Sequence, residues 1–201
     1  MTGRPLKTTY VTTDALTAAN MNDTNTEVNA STYTGVTTSV ANELALFNGT
    51  DGKGLKRATS TGVVVVNSGV VSASAPAAAS VATGESTTSG TYTDLTTTTD
   101  QVTVTIGPSG MALISIAAQI TNSGSAGVST MSFAASGANT IAADDANSIF
   151  YKNPFAGGSG DRHGTSKLLT GLTAGSTTFK LKYKAGNTGT FTYRDISVIP
   201  L

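Results

Sequence analysis

STTFKLKYKAGNTGTFTYRDISVIPL, residues 176–201, decides the fold of this chain. Phe179, Leu181 and Tyr183 alternate with Thr178, Lys180, Lys182 and Lys184. A period of two puts apolar groups on one face of a strand and polar groups on the other. Ala-Gly-Asn-Thr-Gly, residues 185–189, then supplies turn chemistry, with two glycines and an asparagine that tolerate positive φ. A second alternating run follows through Phe191, Tyr193, Ile196 and Val198. The stretch predicts a β-hairpin whose C-terminal end is built into a sheet. Tyr193, Ile196 and Val198 are expected in the core or on an axis shared between subunits. The three lysines are expected on a solvated outer face that also discourages edge pairing.

The region upstream repeats this signal. Strand candidates are 91–96, 102–106, 112–121, 129–135, 148–151, 166–172, 177–184 and 190–199, separated by turn signals such as Gly107-Pro108-Ser109-Gly110 and Gly157-Gly158-Ser159-Gly160. Many short strands at this spacing, without a helical period, predict an antiparallel jelly-roll β-sandwich over residues 90–201. Residues 76–89 lie in a low-complexity Ala/Ser/Thr/Gly segment and read as a linker. Before it, Leu55, Val63–Val66 and Val70-Val71 read as short strands divided by glycine turns. Such ribbons have little core of their own, and three of them wound about one axis would cover each other. Residues 35–47 carry Val36, Val40, Leu44 and Phe47 at helical spacing. That stripe fits a helix packed on its own domain and equally a seam between identical chains. Residues 14–30 read as a short helix of weak propensity that needs a docking partner to be ordered. The expected plan is mostly β: an attachment segment (1–34), a helix and intertwined β neck (35–75), a linker (76–89) and a jelly-roll head (90–201), assembled as a homotrimer.

Composition narrows the function. Only 12% of the 201 residues are charged, with 12 basic against 12 acidic, about half the usual charged share. A nucleic-acid or anionic-membrane partner calls for a basic surplus, and none is present. There is no Cys and no Trp, so disulfides, Cys-ligated zinc and thiol nucleophiles are excluded. The small and β-branched residues that replace large apolar ones make a thin core, which favours oligomerisation. MTGRPLKTTYVTTD, residues 1–14, has no apolar stretch of signal-peptide type, and no apolar run is long enough to span a bilayer.

Candidate chemistry is sparse. The single histidine sits in Asp161-Arg162-His163. Three adjacent residues do not converge on one reacting atom, so the cluster reads as a binding loop rather than a catalytic centre, with Arg162 a fork suited to carboxylates and polar sugars. Tyr151 and Phe155 belong to the aromatic cluster of SIFYKNPFAGG, residues 148–158. Phe155, after Pro154, is the aromatic best placed for an exposed contact. Asp144-Asp145 alone is too few oxygens for calcium. Gly49, Gly52 and Gly54 lack the phosphate-loop pattern. No catalytic residue, cofactor or metal is expected, and the ligand-binding candidates are Tyr151, Phe155, Asp161, Arg162 and His163.

Three stretches together resemble one family. DALTAANMN (14–22) resembles the LTAAxxN segment near the N-terminus of many bacteriophage tail-fibre and minor structural proteins. NELALFNGTDGKGLKRATSTGVVVVNSGVVS (42–72) resembles a phage-fibre linker in which LALFDGTTGKxIK precedes glycine-separated valine strands. The stretches 91–123, 131–140 and 168–201 resemble the C-terminal knob of the same proteins, which is similar to trimeric heads of the tumour-necrosis-factor and complement-C1q kind. The resemblance implies a homotrimeric, non-enzymatic virion fibre, spike or decoration protein of a tailed phage, made in the host cytoplasm. Residues 1–34 would hold a capsid or tail protein, and the head would meet a host-surface glycan or protein. The length, short for a long tail fibre, favours a head fibre, capsid decoration or short tail appendage. A capsid decoration protein stabilising the shell and a C1q-like carbohydrate-binding module are the alternatives. A glycan-cleaving tailspike would need paired carboxylates on a long β-helix, and the chain has neither the length nor the repeat.

Overall fold

A computed structural model describes residues 45–47, 55–57, 63–67, 70–154 and 159–201. The chain divides into two units, Met1–Thr59 and Ser60–Leu201. In the first, β1 (Ala45–Phe47) pairs antiparallel with β2 (Leu55–Arg57). The expected helix over 35–47 therefore gives way to strand at its C-terminal end. The ladder to Leu55–Arg57 outweighs a stripe of under two heptads. Val36, Val40, Leu44 and the expected helix over 14–30 lie outside the described residues, as does the side chain of Phe47.

In the second unit, β3 (Val63–Asn67) and β4 (Val70–Ser74) form an antiparallel hairpin where the glycine-separated valines predict one. The remaining strands are β5 (Ala77–Val81), β6 (Glu85–Thr87), β7 (Gln101–Ile106), β8 (Ala112–Asn122), β9 (Val128–Gly137), β10 (Ile149–Lys152), β11 (Ser159–Leu169), β12 (Gly175–Ala185) and β13 (Gly189–Pro200). They form two antiparallel sheets. One has the order β10-β9-β12-β7; the other has the order β11-β8-β13-β5, with β6 also paired to β13. Their inner faces share one core that includes Val104, Ile106, Ile114, Ile120, Phe133, Phe179, Leu181, Phe191 and Val198.

The strands of residues 176–201 form, but not as a hairpin. β12 lies in one sheet and β13 in the other. Residues 186–188 carry the chain across the sandwich edge, and the apolar faces of the two strands meet across the core. Tyr183 and Phe191 are in ring contact there, with centroids 4.8 Å apart. Two strands that each carry a strong apolar face can pair side by side or pack face to face, and turn chemistry does not separate these outcomes. Here the second buries both faces.

Residues 76–89, expected as a linker, instead supply β5 and β6. Ala77, Ala79 and Val81 face inward along β5 while Ala78 and Ser80 are exposed. The alternation is present, but it runs between alanine and serine, so composition hides it. β5 is admitted because β13 offers a free edge, with Ile196 opposite Ala79 and Val198 opposite Ala77. The expected strand 91–96 is reduced to a single bridge between Thr93 and Tyr183.

A β-bulge changes the inward set of β13. Thr192 pairs with Gln119 and Asp195 with Ala117, so two residues of β13 oppose one of β8. Tyr193 sits at φ +50°. The extra residue flips the alternation: Tyr193, expected in the core or on an axis shared between subunits, is outside the core at 50% exposure, and Arg194 is completely buried. Ile196 and Val198 return to the core as expected.

Candidate functional site

β10 and β11 are edge strands on the same side of the sandwich, one in each sheet. Asp161, His163, Thr165 and Lys167 of β11 stand opposite Ile120, Ala118, Ile116 and Ile114 of β8. Cross-strand partners share a sheet face, so these polar side chains lie on the core side of the sheet, where the sandwich is open to solvent. Arg162 and Leu168 are on the outer side. The Asp161-Arg162-His163 cluster therefore belongs to a strand, where a loop was expected. Its strand conformation comes from continuous pairing to β8 over Ser159–Leu169, which outweighs the glycine and serine content.

Strand geometry divides the predicted site residues. His163 turns towards Tyr151 of β10, with ring centroids 6.0 Å apart. Both line a cleft of about 640 Å³ with Asp161, Phe150, Lys152 and Pro154. His163 Nε2 is buried with no hydrogen-bond partner among the described residues. Asp161 Oδ1 accepts from the Arg162 backbone N–H at 2.8 Å. Arg162 leaves the cleft: its Nη2 bonds Asp195 Oδ2 at 2.7 Å and its guanidinium lies 6.0 Å from the Tyr193 ring centroid. Tyr151, Asp161 and His163 are thus brought together, Arg162 is separated from them, and Phe155 lies outside the described residues.

The lysine face of β12 is more than solvated surface. Lys180 and Lys182 reach Asp94 at 3.0 and 2.7 Å. Lys184 reaches Asp145 at 2.6 Å and lies over the Tyr92 ring at 4.8 Å. Burial resists ionisation of the Asp94 carboxyl, but the two lysines outweigh it and hold its pKa below the usual range. The Lys184 hydrogen bond does the same for Asp145. Tyr92 donates to Asp145 at 2.7 Å, and burial with that carboxylate pushes its hydroxyl well above the ordinary phenol range. Asp144 caps the short 3-10 turn Asp145–Asn147 by accepting from the Asn147 N–H.

A buried polar cluster lies behind the bulge. Arg194 Nη1 donates to Glu85 Oε2 at 2.7 Å, while its Nε and Nη2 meet no hydrogen-bond acceptor among the described residues. Glu85 also accepts from the Thr97 N–H at 2.9 Å and the Thr97 hydroxyl at 2.8 Å. Burial pushes the Glu85 carboxyl up, and the bonds from Arg194 and Thr97 more than offset it. Tyr183 donates to Asp100. Burial raises the Asp100 carboxyl, and burial with the neighbouring Asp100 raises the Tyr183 hydroxyl. The Arg194 guanidinium stacks 5.5 Å from the Tyr183 ring centroid. This cluster ties β6 and the segment before β7 to the sandwich.

None of these clusters joins a nucleophile to a base. Among the described residues no three His, Asp or Glu side chains are grouped to hold a metal, and no helix is long and apolar enough to cross a membrane. No protein-family model matches the chain, and no curated protein matches it. Phe150 belongs to the same aromatic cluster as Tyr151 and Phe155, and adjacent strand residues point to opposite faces, so one of Phe150 and Tyr151 is expected to face outward. It is Phe150, at 61% exposure, with Tyr151 buried; the candidate ligand residues took Tyr151 of the pair and left out Phe150.

Proposed function

We propose that this chain is a non-enzymatic virion structural protein of a tailed bacteriophage, a homotrimeric head or tail fibre or spike whose β-sandwich serves as a knob for host attachment. The observation that carries the reading is the strand order. Sheets ordered β11-β8-β13-β5 and β10-β9-β12-β7 have every consecutive connection from β7 to β13 crossing between sheets except β9 to β10. That is the interlocked Greek-key order of a jelly roll, the head type implied by the resemblance of residues 91–201 to phage knobs.

The two outer faces add support. The β12 face is partly covered by the chain's own Tyr92, Asp94 and Asp145. The outer face of the other sheet presents Ala78, Ser80, Ser115, Ala117, Ser166 and Ser197 around a shallow cavity of about 770 Å³. A flat, small-residue, nearly uncharged face is one that a second copy can approach closely. In this reading residues 1–34 anchor the trimer, the segment before β5 forms the neck, and the knob begins at β5. Three copies of each knob site then engage a repeated host ligand by avidity.

Light scattering on the purified chain tests the assembly, with three chains per particle expected. A stable monomer at micromolar concentration refutes it. Deleting the gene tests the role: loss of adsorption by intact particles is expected, whereas fragile heads with normal adsorption would show shell decoration instead.

A further inference from the structure

A third cavity, of about 480 Å³, lies on the outer face of the β10-β9-β12 sheet, and the register builds it. Thr130 of β9 stands opposite Phe150 of β10 on one side and Lys184 of β12 on the other. The three form one row across the sheet. Adjacent strands are about 4.8 Å apart, so the Phe150 and Lys184 backbones are separated by roughly 10 Å, with Thr130 as floor between two walls. Val128 extends the floor along β9, and Asp145 and Ser148 close the cavity from the adjoining segment. The volume lies within the range of small-ligand clefts.

The lining has a definite chemistry. Phe150 and Val128 are two of the five exposed large apolar residues among those described, and both face this one cavity. The ring is 61% exposed, so a flat apolar ligand face can lie on it without displacing protein atoms. The opposite wall is the Lys184–Asp145 ion pair at 2.6 Å. As a pair it is neutral, which disfavours a strongly charged ligand. Asp145 Oδ1 is engaged by Tyr92 and Lys184, and the other carboxylate oxygen, on a side chain 70% exposed, is available to accept. Ser148 Oγ donates to the Asp145 carbonyl at 2.9 Å and retains acceptor capacity. Lys184 has three N–H donors, one of which serves Asp145. An apolar platform facing a neutral, donor-and-acceptor wall matches a pyranose, which has a C–H face on one side and hydroxyls around its rim.

We propose that this cavity is a saccharide-binding site that takes one ring of a neutral glycan between Phe150 and the Lys184–Asp145 pair. The site adjoins the β10–β11 cleft of Tyr151 and His163, with which it shares Phe150 and Ser148, and differs from it in its floor and its Lys184–Asp145 wall. It deepens the attachment reading and rests on it only for the claim that the glycan comes from a host surface.

Saturation-transfer NMR on the full chain tests it, with the methyl glycosides of glucose, galactose, mannose, rhamnose, N-acetylglucosamine and N-acetylgalactosamine as probes. At least one glycoside is expected to receive saturation at its ring C–H protons. Phe150→Ala is expected to weaken that binding at least about tenfold, as for an anchor residue. Asp145→Asn weakens it less, and Phe150→Tyr, which keeps the platform and checks folding, retains it. Leu168→Ala, on the outer side of the other sheet, leaves it unchanged. Absence of binding by all six probes, or unchanged binding by a folded Phe150→Ala variant, overturns the proposal. A trimer that adsorbs normally but binds no glycoside refutes this site and leaves the virion reading standing. A glycoside-binding monomer does the reverse.

Discussion

Replacing Glu85 by Gln isolates the ion pair behind the β13 bulge. Arg194 is fully buried and Glu85 is 15% exposed, with 2.7 Å between Nη1 and Oε2. Opposite unit charges about 4 Å apart attract by about 4 kcal/mol at an effective dielectric of about 20. Removing one partner of a buried pair costs roughly 3–5 kcal/mol, because the other charge stays buried. The opening of Glu85 to solvent and the nearby Asp100 both favour the lower end, so Glu85→Gln is expected to cost about 3 kcal/mol. Urea unfolding at pH 7 and fixed protein concentration measures it. With a slope of about 2 kcal/mol per molar, the midpoint falls by about 1.5 M. Arg194→Met should cost less. It leaves a carboxylate with a solvent edge and the two Thr97 hydrogen bonds. The double variant should be more stable than Glu85→Gln alone. A loss below about 1 kcal/mol for Glu85→Gln would refute the reasoning, since Asp100 would then be the group that neutralises Arg194.

Two further perturbations follow from the same structure. Glu85 and Asp94 have lowered pKa values, so their contribution is present above the unfolded carboxylate range and is lost as pH falls through their folded values. Asp100 is raised and acts in the opposite sense. Stability measured by thermal melts should decline on acidification below about pH 4.5, and the decline should be shallower in Glu85→Gln; an equally steep decline there would remove Glu85 from the cause. Among the glycines, Gly137 has φ +97° and an added Cβ would sit 2.6 Å from the Ser176 carbonyl oxygen, whereas Gly186 has open space. Gly137→Ala should lower stability by more than about 1 kcal/mol, while Gly186→Ala should be neutral or raise it by up to about 1 kcal/mol; equal effects in urea unfolding would contradict the backbone assignment.

What was legible in the sequence was the inward face of each strand wherever apolar and polar residues differ strongly in size. Phe179-Leu181-Tyr183 was placed on the apolar face because it alternates with threonine and lysine, residues 102–106 were found as a strand, with Val102, Val104 and Ile106 alternating with threonine in the same way, and all six side chains are buried. The alternation fails where the contrast is weak. Ala77-Ala79-Val81 among alanine and serine looked like a linker, and residues 159–165, the first part of β11, looked like a loop, because edge strands bury less and tolerate glycine, serine and charge. Pairing partners were illegible for a different reason. A run such as 176–201 specifies which side of each strand is apolar, and that requirement is met equally by two strands in one sheet or by two facing strands.

The bulge at Tyr193 shows how one local irregularity determines both the interior and the surface. Without it, the period of two from Phe191 would keep Tyr193 inward and Arg194 outward. With two residues opposite one of β8, Arg194 enters the core, where only a carboxylate in reach makes its burial tolerable. Glu85 supplies that carboxylate from β6, within the stretch whose composition reads as linker. The ion pair therefore explains why a low-complexity segment is held against the sandwich at all. Its apolar contacts are few and small, Ala77, Ala79 and Val81, and the pull of Arg194 on Glu85 adds a specific tether that composition cannot reveal. The same bulge turns Tyr193 outward beside Arg162, which the alternation of β11 has already placed on the outer face, away from Asp161 and His163. Displacement of one residue in β13 accounts for the buried pair, the docking of residues 85–87 and the aromatic partner that Arg162 finds on the outer face.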